Sequence, residues 1–286
     1  MVWLSSIVGL YLVWVAALSL GQGQVIFPGQ SMALPRGVPP ADVHRWTMLL
    51  DSTDASSGEL FAWYMPARRG EGPRPAVIFA HGNAALAEHN LDLAELYAEA
   101  GMHVLVPEYR GYAESPGRPS ERRVRHDFAR WYDRLIAREE VDASRVVFHG
   151  RSIGGGVVGA LARVRSPAAM ILESTFTSIA RLSWRYAVPH WLIRSQFRTV
   201  DVVGQLEVPI LVLHGTGDRV IPARHADALA AAGSETTLLT RHSRHHDLMS
   251  DAGWYRSALL GFASELGWIE DTVGHLEVPV ARKSEP

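Results

Sequence analysis

No cysteine occurs anywhere in the 286 residues, so disulfide scaffolds, thiolate zinc sites and cysteine nucleophiles are all excluded. Net charge is also nearly absent. With 28 basic and 30 acidic side chains the chain carries −2, and no Lys/Arg-rich block builds a local field that would make nucleic acid a partner. Residues 1–35 contain no charged side chain, and the first is Arg36. The phosphate-loop lysine and the H-E-x-x-H zinc pattern are missing too. What remains is globular in composition, 47% apolar and 20% charged, which argues against disorder. A chain of this length suits one large domain or two small ones.

The run VWLSSIVGLYLVWVAALSL from Val2 to Leu20 reaches the roughly 20 residues needed to cross a bilayer core. It reads as a retained anchor, a cleaved signal peptide with Ser19-Leu20-Gly21 as the small-residue site, or a buried helix. The absence of Lys or Arg before the run argues against cleavage, and Trp3, Tyr11 and Trp14 suit a segment that stays. The expected organisation is an anchor or signal over 1–21, an extended Gly/Pro-rich linker over 22–42, a catalytic domain over 43–267 and a tail over 268–286. A retained run makes the protein a single-pass membrane protein held by residues 2–20; a cleaved one makes it secreted or periplasmic.

After the linker, RWTMLLD and ELFAWYM flank a turn at residues 56–58 and predict an antiparallel pair. A different rhythm follows. AVIFA, HVLVP, RVVFH, AAMIL, PILVLH and ETTLL are short runs without polar interruption, as expected of strands covered on both faces. Helical patterns over 84–100, 119–138, 154–165, 222–232 and 251–266 separate them, so the reading is βαβ units and one mostly parallel sheet. In the 119–138 segment Val124, Phe128, Trp131 and Leu135 form one apolar stripe. Its arginines lie mostly off that stripe and read as a solvated face.

Gly150-Arg151-Ser152-Ile153-Gly154 sits between the strand RVVFH and a helical run. G-x-S-x-G at a strand–turn–helix junction describes a nucleophile elbow, in which small flanking residues permit a strained turn and the serine hydroxyl projects above the sheet. A serine needs a base and an orienting acid. Asp218 follows the strand PILVLH, and His245 follows the next strand, 66 and then 27 residues on. Glu173 is the alternative acid, and Asp218 also reads as a helix N-cap. His246 competes with His245, and a zinc reading of His242, His245 and His246 has no second ligand cluster behind it. Oxyanion donors are expected at the amides of Ile153, after the serine, and Asn83, in the turn His81-Gly82-Asn83. His81 and His214 read as structural hydrogen-bonding groups.

With VIFP, FAHGNA, PEYRGYAESPGRPSE, FHGRSIGG, LESTFTSI, LVLHGTGDRVIP and the histidine loop in the same order, the chain resembles the α/β-hydrolase superfamily. More narrowly it looks like a branch of small, often membrane-anchored serine hydrolases with monoacylglycerol-lipase-like and depalmitoylase-like members. The resemblance implies the α/β-hydrolase fold, with a mostly parallel central sheet flanked by helices behind the N-terminal apolar helix. It implies a triad of Ser152, Asp218 and His245, oxyanion amides at Asn83 and Ile153, and no cofactor or metal. Relatives read Gly-x-His-Asn-Asp where this chain has Ser243-Arg244-His245-His246-Asp247, which sets His245 on the catalytic position. The aromatic segment within 173–200 corresponds to a cap or lid, or to ordinary packing beside the sheet. The expected substrate is a small-molecule acyl ester or thioester. A peptidase or lactone hydrolase with the same triad, or an inert binding module, are the competing readings.

Overall fold

A computed structural model describes residues 2–32, 40–50, 57–269 and 282–283. Among these described residues nine strands form a single sheet: β1 (His44–Leu49), β2 (Glu59–Met65), β3 (Arg74–Ala80), β4 (His103–Pro107), β5 (Val141–Arg151), β6 (Ala169–Glu173), β7 (Ile210–Gly215), β8 (Thr236–Arg241) and β9 (Arg282–Lys283). Their spatial order is β1-β2-β4-β3-β5-β6-β7-β8-β9. From β4 to β8 every neighbouring pair is parallel. The pairs β1–β2, β2–β4 and β8–β9 are antiparallel. The apolar runs of the sequence are these central strands; β3, β4, β6 and β7 are buried almost end to end.

Eight helices accompany the sheet among the described residues: α1 (Val2–Ile26), α2 (Leu91–Glu99), α3 (Glu121–Ile136), α4 (Ile153–Ala162), α5 (Ile179–Ser183), α6 (Thr199–Val203), α7 (Arg224–Ala232) and α8 (Ala252–Glu265). Side chains of α3, α4 and α7 fill the core on one face of the sheet. Those of α2 and α8 fill it on the other. The helices thus cover both faces, which is why the strands lack the polar alternation of a half-solvated sheet.

Helix α3 starts where Ser120 accepts a hydrogen bond from the Arg123 amide, a side-chain N-cap. It buries the expected stripe of Val124, Phe128, Trp131 and Leu135. Its arginine face differs from the expectation of simple solvation. Arg134 donates to the Thr47 carbonyl at 2.6 Å and Arg130 to the Leu49 carbonyl at 2.9 Å, and the Arg134 guanidinium lies 4.6 Å from the Trp46 ring centre. These groups occupy carbonyls of edge strand β1, a device that keeps an edge from pairing with another chain.

The expected linker at 22–42 is overturned at its start. Helix α1 continues through Ile26, a 3-10 turn follows at Pro28–Ser31, and Gln22, Ile26 and Phe27 are buried. Phe27 meets Tyr109, Tyr112 and Phe197 edge-on, with ring centres 6.1 to 6.5 Å apart. Gly21 and Gly23 mask this in the sequence, because tertiary packing overrides their low helix propensity. Residues 33–39 of the linker, 51–56 at the first predicted turn, and 270–281 and 284–286 of the tail lie outside the described residues. At the start of that tail Ile269 is packed into the core.

Candidate active site

Strand β5 ends at Arg151 and α4 begins at Ile153, leaving Ser152 alone to make the turn. Its backbone sits at φ 54°, ψ −117°, a region costly for a side-chain-bearing residue and held only where the surroundings over-determine it. Here they do. The Ser152 amide donates to the Glu173 carbonyl at 2.8 Å, and Thr175 Oγ1 donates to the Ser152 carbonyl at 2.6 Å. The flanking glycines are obligatory: a Cβ on Gly150 would lie 2.3 Å from the Gly154 carbonyl oxygen, and one on Gly154 would lie 1.9 Å from that of Ala80.

Ser152 Oγ lies 3.1 Å from His245 Nε2, and His245 Nδ1 lies 2.6 Å from Asp218 Oδ2. A neutral imidazole that donates Nδ1–H to the carboxylate presents the Nε2 lone pair to the serine hydroxyl. Asp218 is fixed in turn: its Oδ1 accepts from the Val220 and Ile221 amides, both at 2.8 Å. Burial works to raise the Asp218 carboxyl, but the hydrogen bonds from His245 and Ile221 outweigh it and hold it below the ordinary carboxylate range. The N-cap reading of Asp218 is not met, because α7 begins at Arg224 with Ala223 at its N-cap; the Asp218 carboxylate instead ties down its own loop through Oδ1 and faces His245 through Oδ2.

The alternatives fall elsewhere. Glu173 turns to Arg151 at 2.8 Å and to the Tyr255 hydroxyl at 2.7 Å. His246 lies edge-on to His245, ring centres 4.7 Å apart, and burial and then the neighbouring His245 lower its pKa. His242 faces Thr216 at 3.5 Å. His214 donates to the Ile221 carbonyl at 2.8 Å and lies 3.5 Å from Asp218 Oδ2, where it buttresses the acid loop.

Ile153 opens α4, where first-turn amides have no intrahelical acceptor. Asn83 borders the same cavity as Ser152, Ile153 and His245, and a Cβ on Gly82 would come within 3.8 Å of Ser152 Cβ. Residues that sequence reasoning left without a role hold this turn. Glu108 at the end of β4 contacts His81 Nε2 at 3.0 Å and accepts from the Ala87 amide at 3.0 Å. Tyr109 donates to the His81 carbonyl at 2.6 Å and Tyr112 to that of Asn83 at 3.1 Å. The stretch P-E-Y-R-G-Y after a strand was the available signal.

Above Ser152 lies a cavity of about 400 Å³, within the usual span for small-molecule sites. One wall comes from the segment between β6 and β7, through Leu182, Tyr186 and Ile193; α1 adds another, through Trp14, Leu18 and Gln22. The contribution of α1 was not foreseen.

The α/β-hydrolase fold family matches residues 75–194. The α/β-hydrolase domain-containing protein WAV2 of Arabidopsis thaliana is 30% identical over 229 residues, covering 72% of each chain. The chain belongs to the α/β-hydrolase fold family. An uncharacterized protein of Mycobacterium tuberculosis is 34% identical over 179 residues, 62% of this chain and 63% of the relative, so the match spans just under two thirds of that relative. Among solved structures, the acetyl xylan esterase of Paenibacillus sp. R4 superposes with a TM-score of 0.63 at 20% identity, over 89% of this chain and 93% of the esterase.

Proposed function

We propose that the protein is a membrane-tethered serine hydrolase that cleaves carboxylic esters or thioesters of acyl, lipid-like substrates. One observation carries the reading: the unbroken chain from Ser152 Oγ through His245 to Asp218, at 3.1 and 2.6 Å, opening on an apolar cavity. Ser152 attacks the substrate carbonyl as His245 Nε2 takes its proton. The Asn83 and Ile153 amides donate to the resulting oxyanion. His245 returns the proton to the leaving alcohol or thiol, and the acyl group stays on Ser152. Water, deprotonated by the same imidazole, then releases the acid. Asp218 keeps Nδ1 protonated and stabilises the imidazolium at each stage. No step draws on a cofactor.

The lipid-like preference rests on the cavity walls and on α1. The helix holds a 22-residue span, Ser5–Ile26, long and apolar enough to cross a bilayer. Segment 173–200 acts as the cap over the pocket, and 43–267 as the catalytic domain. The test uses the full chain in detergent, a fluorophosphonate probe and nitrophenyl esters from acetyl to palmitoyl. Ser152→Ala should lose labelling and lower kcat by about 10⁴-fold or more. Retention of near-wild-type esterase activity by that variant would refute the assignment, as would failure of the wild type to label.

A further inference from the structure

We infer that α1 is one wall of the acyl-binding site as well as an anchor, so that the pocket is completed by the same helix that meets the lipid. The inference rests on the hydrolase reading and names its substrate: a long acyl chain carried by a bilayer, not a short water-soluble ester.

Four hydrogen bonds fasten α1 to the cap. Tyr11 donates to the Ala187 carbonyl at 2.9 Å and Trp14 Nε1 to that of Tyr186 at 3.0 Å. Gln22 Nε2 donates to the Leu192 carbonyl at 3.2 Å, while its Oε1 accepts from the Arg194 amide at 2.8 Å. The second Nε2 proton goes to Ser19 O at 2.7 Å. A buried amide with both ends engaged fixes the rotation of the helix, since any turn about its axis would strand polar groups. Positions 11, 14, 18, 22, 25 and 26 therefore share one face at helical spacing, and from Trp14 onward each of them lines the cavity above Ser152. Other faces leave Leu12, Val13 and Leu20 60 to 79% exposed, a surface suited to hydrocarbon and costly in water. An acyl chain leaving the bilayer along α1 reaches Ser152 without crossing water.

The geometry makes Leu18 a determinant of chain length. The experiment compares kcat/KM for nitrophenyl esters from acetyl to palmitoyl with the full chain in phosphatidylcholine vesicles, alongside fluorophosphonate labelling. Wild type should favour chains of eight or more carbons. Leu18→Trp should lower the lauroyl-to-acetyl ratio at least tenfold, and Leu18→Ala should move the optimum to longer chains. Leu20→Ala, on the outward face, should leave the profile unaltered. Should Leu18→Trp fail to fold, the direction of the Leu18→Ala shift decides. An active, labelled wild type that prefers acetyl esters, or a Leu18→Ala profile identical to wild type, overturns the inference and leaves the hydrolase standing. A wild type that neither labels nor cleaves any ester removes both.

Discussion

Two carboxylates lie close to the Ser152 turn, and their partners give them different work. Asp218 faces His245, while Glu173 is buried among Arg151, Tyr255 and His149, three groups that donate to it or balance its charge. Burial alone would raise Glu173; Arg151 and His149 outweigh it and bring the carboxyl from 4.5 down to about 2. A folded pKa below the unfolded one means stability that is fully present above about 4.5 and lost as pH falls through about 2. Denaturant midpoints should therefore decline across that window. Glu173→Gln should flatten part of the decline, with Asp218, Asp42, Asp133, Glu140 and Asp142, whose carboxyls are also held low, supplying the rest, and at neutral pH should cost about 3 kcal/mol by leaving the largely buried Arg151 without its counter-ion. A variant with wild-type stability at pH 7 and an unchanged acid slope would show that Glu173 is not the group titrating. At this scale the sequence was informative where the signal is local. The turn at Ser152 was legible because G-R-S-I-G is five contiguous residues on a strand–helix junction, and the approach of Asp218 and His245 to it was expected from chain order and loop position, with the resemblance choosing His245 over His246. Glu108, Tyr109 and Tyr112 were not, since their work is defined by partners 21 to 29 residues away in the chain.

The elements of the sheet were readable for a related reason. A strand covered on both faces must be apolar throughout, and β3, β4, β6, β7 and the VVF stretch of β5 announce themselves that way. Helix α1 was readable only in part. Its first twenty residues are apolar on most sides, but its last turns carry Gly21 and Gly23, which weaken a helix taken alone, and Gln22 and Gln24, which interrupt the apolar run. Those turns persist because the cap satisfies Gln22 and because Phe27, 1% exposed, closes the end against three aromatic rings. Phe27→Ala should accordingly destabilise the protein by about 3 to 5 kcal/mol, the usual cost of emptying a buried aromatic site, measured by chemical denaturation in detergent. A linker residue would give a change near zero, and that result would return residues 22–27 to the status of a tether.

At the scale of the molecule, α1 and the cap make one apolar surface. Trp184, Tyr186 and Trp191 are 67, 61 and 70% exposed, and Tyr11 of α1 lies beside them through its bond to Ala187. Tryptophan and tyrosine concentrate where bilayer meets water, because their rings are amphipathic. With a net charge of −2, long-range electrostatic attraction to an anionic lipid surface is not what seats the domain. On the proposed membrane-tethered reading, apolar contact is left to do so, with the cap turned toward the lipid and the pocket mouth beside it. Vesicles of brominated phosphatidylcholine should then quench part of the tryptophan emission of the full chain, and Trp184→Phe combined with Trp191→Phe should remove a measurable share of the quenchable signal. Trp3 and Trp14 stay in both proteins and report the helix itself, so the difference belongs to the cap alone. If the double variant is quenched in the same absolute amount as wild type, the cap stands clear of the bilayer, and α1 tethers the domain without seating it.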